Sequence, residues 1–196
     1  LPERRARGKQ AVPKLPRSCS VGGRRALVRG ASRGLGVTIC DVVSAAGADI
    51  VAVARSEADM AETRRIVEGH GRQCLTVVAD LSDPTAPDAV AQTVTAAWGG
   101  VDIVVNNAGV SFPRPLVEQT VEEWDTVQAI NLRAPWLLAR AFAPGMIDRK
   151  RGKIINISSQ ASSVALIEHG AYVASKAGLN GLTKVMTAEW AAHNIQ

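Results

Sequence analysis

At 196 residues, 46% of them hydrophobic and 21% charged, the chain is long enough to bury one sizeable core and lies in the composition range of a globular domain. The formal charge of +5 does not point to a nucleic-acid partner: eight of the 23 basic residues fall within residues 1–25 against Glu3 alone, which leaves the remainder near −2. Cys19, Cys40 and Cys74 are odd in number and widely spaced, and with only three histidines they form neither a disulfide framework nor a metal cluster, so a cytoplasmic, metal-free protein is expected.

The first segment, LPERRARGKQAVPKLPRSCS, carries three prolines and no apolar run that could serve a secretory signal. Residues 1–21 are therefore expected to be a disordered basic tail, and residues 22–196 a single folded domain. No stretch approaches the roughly 20 apolar residues needed to span a membrane.

Ala26-Leu27-Val28 is a short apolar run followed at once by glycines, and residues 35–46 then show helical apolar spacing ending at Gly47. Residues 49–54 (DIVAVA), 74–79 (CLTVVA), 102–105 and 153–157 are further strand-like runs, with helical segments between them, including 60–68. Apolar strands without clear alternation, separated by helices, predict a parallel sheet buried on both faces: a doubly wound, Rossmann-type α/β fold. Residues 179–192 read as a helix, and His193-Asn194-Ile195-Gln196 as the turn into another strand, so the sheet is expected to lack its last strands.

Gly30-Ala-Ser-Arg-Gly34-Leu-Gly36 lies between the first strand and the first helix, where glycines let backbone N–H groups and a helix N-terminus approach a phosphate. Its spacing, Gly-x-x-x-Gly-x-Gly, departs from the commonest dinucleotide fingerprint. The second strand ends in Ala54-Arg55, and the first carboxylate after it is Glu57. Arg33 and Arg55 are suited to a 2′-phosphate, which favours NADP over NAD.

Tyr172-Val-Ala-Ser-Lys176 opens a predicted helix, and its i, i+4 spacing places both side chains on one face. A lysine cation one turn away favours a phenolate, as a tyrosine general acid–base requires. Tyr172 is the single tyrosine of the chain. Ser159, thirteen residues upstream and just past a strand, is placed to hydrogen-bond a substrate oxygen, with Ser158 as the competing choice.

The glycine turn, Asn106-Asn107-Ala108-Gly109, Asn131, Ser159 and Tyr172-xxx-Lys176 resemble, in order and spacing, the short-chain dehydrogenase/reductase family over roughly residues 22–196. The resemblance implies that Tyr172 exchanges a proton with the substrate oxygen, that Lys176 binds the nicotinamide ribose and tunes Tyr172, that Ser159 orients the substrate, and that Asn131 holds a relay water. It also implies cofactor contacts from Gly30, Ser32, Arg33, Gly34, Leu35, Gly36, Asp80, Leu81, Asn107, Ala108 and Gly109, with Asp80 at the adenine.

Two departures from the family stand out. Arg29 occupies the place of a threonine before the first glycine, where an inward-pointing, unpaired charge would cost several kcal/mol. Members also continue for about fifty residues past the helix of Tyr172, so a truncated chain is expected, without its substrate lid.

Residues 152–162 and 168–196 look most like the sugar, polyol and sugar-acid dehydrogenases of the family, with the 3-oxoacyl-carrier-protein reductases as the alternative. His169 is a candidate contact for a substrate hydroxyl, whereas Trp98, Trp124, Trp136 and Trp190 read as packing residues. The family's helix pairing implies a homodimer or homotetramer through residues 116–148 and 172–193. The rival of another class is an inactive remnant that binds nucleotide or partner proteins.

Overall fold

The computed structural model describes residues 20–196; the predicted basic tail lies almost wholly outside the described residues, as does Cys19. Five strands, β1 (Arg25–Arg29), β2 (Asp49–Ala54), β3 (Cys74–Val78), β4 (Ile103–Asn106) and β5 (Lys153–Asn156), form one parallel sheet in the order β3-β2-β1-β4-β5. The helices are α1 (Leu35–Ala45), α2 (Ala61–Gly69), α3 (Ala86–Trp98), α4 (Val121–Gln128), α5 (Ala134–Asp148) and α6 (Gly170–Trp190).

Neighbouring strand positions serve opposite faces of the sheet, which is why the strand sequences show no polar alternation. On one face Leu27, Val51, Val53 and Val104 pack with Val90 and Val94 of α3 and with Leu138, Phe142 and Met146 of α5. On the other, Ala26, Val28, Ile50, Ala52, Ile103 and Val105 pack with Cys40 of α1 and with Met60 and Val67 at α2.

β1 pairs with β2 on one flank and β4 on the other, so the chain reverses its winding there and opens a crevice at the carboxyl ends of these strands. The strands fall within two residues of their predicted bounds. The helix read at 179–192 falls mostly in the later part of the longer α6, and the span 116–148 holds two helices, α4 and α5. A π-helical turn, Ala129–Arg133, separates α4 from α5.

The closing residues follow the predicted turn. Asn194 adopts a left-handed conformation (φ 58°), after which Ile195 bridges Gly152 in parallel and Gln196 N donates to Gly152 O at 3.0 Å, beside β5. Among the described residues no helix is long and apolar enough to cross a membrane.

Candidate active site

The glycine turn follows β1 directly. Gly30 has φ +72° and Gly34 φ +57°, a region in which only glycine is unstrained. At Gly36 the reason is space: a Cβ there would sit 1.9 Å from Gly30 O. Helix α1 therefore starts hard against the turn, with its first N–H groups towards the crevice.

A cleft of about 490 Å³ lies over the strand ends, lined by Gly30, Ser32, Arg33, Arg55, Asp80, Leu81, Asn107, Ala108 and Gly109. These are nine of the predicted cofactor residues. Gly34, Leu35, Gly36, Tyr172 and Lys176, also predicted as cofactor contacts, do not line it, and Leu35 is exposed. Glu57, the first carboxylate after β2, is turned away to Arg64 (3.0 Å) and Thr76 (2.8 Å). The rim thus presents Arg33 and Arg55, with Asp59 as an acidic neighbour that sequence reasoning passed over. Asp80 accepts from Ser82 N (3.0 Å) and Ser82 Oγ (2.8 Å), and these bonds hold its carboxyl below the usual range.

The predicted catalytic residues gather beyond Gly109. A Cβ on Gly109 would lie 3.4 Å from Asn131 Oδ1 and 3.7 Å from Lys176 Nζ. Asn131, in the π-helical turn, clamps the loop after β4: its Oδ1 accepts from Val110 N and its Nδ2 donates to Val110 O, each at 2.9 Å, with Ser175 Oγ at 3.1 Å. Both Nδ2 hydrogens are engaged, so a relay water would have to use an oxygen of this residue.

Tyr172 and Lys176 sit one turn apart in α6, with Nζ 5.6 Å from the centre of the phenol ring. Lys176 Nζ donates to Ile157 O at 2.6 Å, fixing the ammonium at the end of β5. Burial first, and the positive charge of Arg29 second, together lower its pKa to about 8. Ser159 Oγ accepts from Ala161 N (3.2 Å), whereas Ser158 Oγ is buried with no partner. Of the two hydroxyls, Ser159 Oγ is thus the one with a hydrogen-bond partner, and Ser158 Oγ the enclosed one. His169 meets Tyr172 edge to face, its Nδ1 2.8 Å from Ile167 O.

Arg29, the departure at the strand end, points inward and is wholly buried. Nη2 donates to Ile130 O at 2.5 Å, while Nε and Nη1 are buried without partners.

Comparison with known proteins decides the family. A model of the short chain dehydrogenase family matches residues 24–196. The chain belongs to that family. It is an oxidoreductase by this membership, and the Rossmann-type sheet agrees. L-xylulose reductase of Bos taurus is 42% identical over 175 residues, covering 89% of this chain and 68% of the relative. Gluconate 5-dehydrogenase of Gluconobacter oxydans is 35% identical over 177 residues, covering 90% and 69%. A metagenomic short-chain oxidoreductase solved in complex with NADP superposes with a TM-score of 0.87 at 42% identity, over 90% of this chain and 79% of that one.

Proposed function

We propose that residues 22–196 form one NADP-dependent oxidoreductase domain that interconverts a secondary alcohol and a ketone, with Tyr172 as the general acid–base and a sugar, polyol or sugar acid as substrate. The observation that carries this reading is the Tyr172–Lys176 pair, with Lys176 Nζ beside Gly109 of a cleft whose rim bears Arg33 and Arg55.

The cleft fits a dinucleotide. Gly36 admits no side chain, and two guanidinium groups stand where an NAD site would offer a carboxylate. When bound, the nicotinamide supplies or accepts the hydride. The protein manages the proton. Tyr172 Oη gives it to the carbonyl oxygen in reduction and takes it back in oxidation. Lys176, anchored on Ile157 O, keeps a positive charge one helical turn away and favours the phenolate. Ser159, already accepting from Ala161 N, has its own proton free to donate to the substrate oxygen.

The gluconate and xylulose relatives support the polyol class. An acyl ketone is the second reading, favoured by apolar residues exposed on the segments around Tyr172. Arg114 N donates to Glu168 O (2.8 Å), joining the loop of Phe112, Leu116 and Val117 to that of Val164, Leu166 and Ile167. Exposed Trp124, Trp136 and Val185 on α4, α5 and α6 support a homodimer or homotetramer, which light scattering of the purified chain would show.

The test is NADPH oxidation with a panel of ketoses, diketones and acyl ketones, in wild type and Tyr172→Phe. Turnover should fall by about 10²–10⁴-fold in the variant with NADPH affinity retained. NADPH binding without turnover on any carbonyl would favour a non-catalytic nucleotide-binding protein instead.

A further inference from the structure

Arg29 is a fully buried cation that borders the cleft together with Ile130, and its placement is specific. It ends β1, and its backbone pairs with Val53 on one flank and Asn106 on the other, so the side chain leaves the sheet at the winding reversal. From there Nη2 reaches Ile130 O, inside the π-helical turn and one residue before Asn131. Its own carbonyl accepts from Asn107 Nδ2 at 3.3 Å. Among the described residues no carboxylate pairs with it, and Nε and Nη1 are unpartnered.

We propose that Arg29 is a positioning residue of the reaction: a buried guanidinium that holds the π-helical turn carrying Asn131 and sets a fixed positive charge behind Lys176. The proposal rests on the reading of Tyr172 and Lys176 as the acid–base pair. Two links of the structure carry it. The first is mechanical, running from Arg29 through Ile130 O to the turn whose Asn131 clamps Val110 and meets Ser175, the residue beside Lys176. The second is electrostatic.

The other charged groups on the elements packed around α6 are spent elsewhere or exposed. Arg133 of the π turn donates to Ser82 O; Glu123 of α4 pairs with Arg114 at 3.0 Å; Glu122 and Asp125 are exposed; Arg140 of α5 pairs with Asp88. On α6 itself Tyr172 is the neighbour of Lys176, and His169 lies beyond Tyr172. Arg29 is the side chain whose charge reaches the ammonium, and it disfavours the protonated form. A like charge in a low-dielectric interior acts over several ångströms with little screening.

The test separates charge from shape. The full chain carrying [13Cε]lysine is titrated by NMR, with Lys176→Met to assign the resonance, in wild type, Arg29→Gln and Arg29→Lys. The pH profile of NADPH oxidation is recorded on the same proteins. Glutamine keeps a polar donor, two bonds short of Nη2, and removes the charge; lysine keeps the charge. In Arg29→Gln the Lys176 titration should move up by about half a pH unit or more, and the alkaline limb of kcat should move with it, with KM changed less than about twofold. In Arg29→Lys both should stay near wild type. Arg29→Met supplies a second neutral side chain if the glutamine variant does not fold.

An unmoved Lys176 titration in a folded neutral variant would overturn the proposal, and so would an equal shift in Arg29→Lys. A shifted titration in a chain that oxidises NADPH with no carbonyl would overturn the reaction reading, and with it the catalytic sense of the proposal. Turnover with an unshifted titration would overturn the role of Arg29 alone.

Discussion

Replacing Arg29 by methionine should make the protein more stable. In the folded chain the guanidinium is wholly buried, and burial pulls its pKa well below the usual arginine range, to about 9. That displacement disfavours the charged form in the folded state by on the order of 5 kcal/mol. A cation whose folded pKa is depressed is destabilising at every pH below about 9, and the penalty is relieved only as pH rises from there towards the ordinary arginine range. Between pH 6 and 8 both states hold the proton, so the full penalty applies and does not vary.

Methionine is unbranched and apolar and can follow much of the same path. The bond to Ile130 O would be lost, worth about 1 kcal/mol. Exchanges of buried charges for apolar groups of similar size gain about 1–4 kcal/mol. A net gain of about 1–4 kcal/mol is therefore expected, or roughly 2–16 °C in Tm for a domain of this size. Urea and thermal denaturation at pH 6 and 7, below the Lys176 titration, would measure it, and the gap between variant and wild type should be the same at both. A variant no more stable than wild type, or a gap that titrates between pH 6 and 7, would refute the account of Arg29 as an uncompensated buried charge.

Arg33→Ala and Arg55→Ala should each weaken NADPH binding by roughly tenfold and leave NADH binding within about twofold, read by fluorescence titration at fixed salt. Equal losses for both nucleotides would remove the 2′-phosphate assignment. Gly36→Ala should weaken NADPH binding by about tenfold or more, because its Cβ would meet a backbone oxygen at 1.9 Å. A variant that still binds like wild type would mean that α1 can shift away from the turn.

Legibility of the fold in the sequence tracked burial. The strands could be read because positions such as Leu27 and Val28 face opposite sides of the sheet and both sides are covered, which enforces unbroken apolar runs. Tyr172, Lys176 and the glycine turn could be read because each depends on spacing within one element. Helix α6 was harder to delimit, since glycines weaken its propensity. Gly178 is there because the chain passes close to Leu132, where a Cβ would come within 2.9 Å of Cδ2.

The π-helical turn around Asn131 has no signal in a 3.6-residue pattern, because one wider turn shifts the register without changing which residues are apolar. The anchors of the site were equally hidden. Ile157 holds Lys176 through a backbone carbonyl, an atom every residue carries, and Ser175 meets Asn131 from 44 positions away. Glu57 invited attention as the nearest carboxylate to the ribose position, but Arg64 and Thr76, reached only in three dimensions, draw it off.

The candidate catalytic geometry converges on β5. Ile157, which holds Lys176, and Ser159 both follow directly from the end of this strand. β5 is the outer strand of the sheet, and on its free flank the backbone pairing comes from residues 195 and 196. Its position is set mainly from the other side. Asn106 Nδ2 of β4 donates to Asn156 Oδ1 at 2.8 Å, and Asn156 Nδ2 donates to Thr183 Oγ1 of α6 at 2.9 Å. This chain of side-chain bonds links the strand that leads to Ser159, the helix that carries Tyr172 and Lys176, and the strand that leads to Gly109. Ser159, Tyr172 and Gly109 can therefore keep one mutual arrangement even where an edge strand alone would fray.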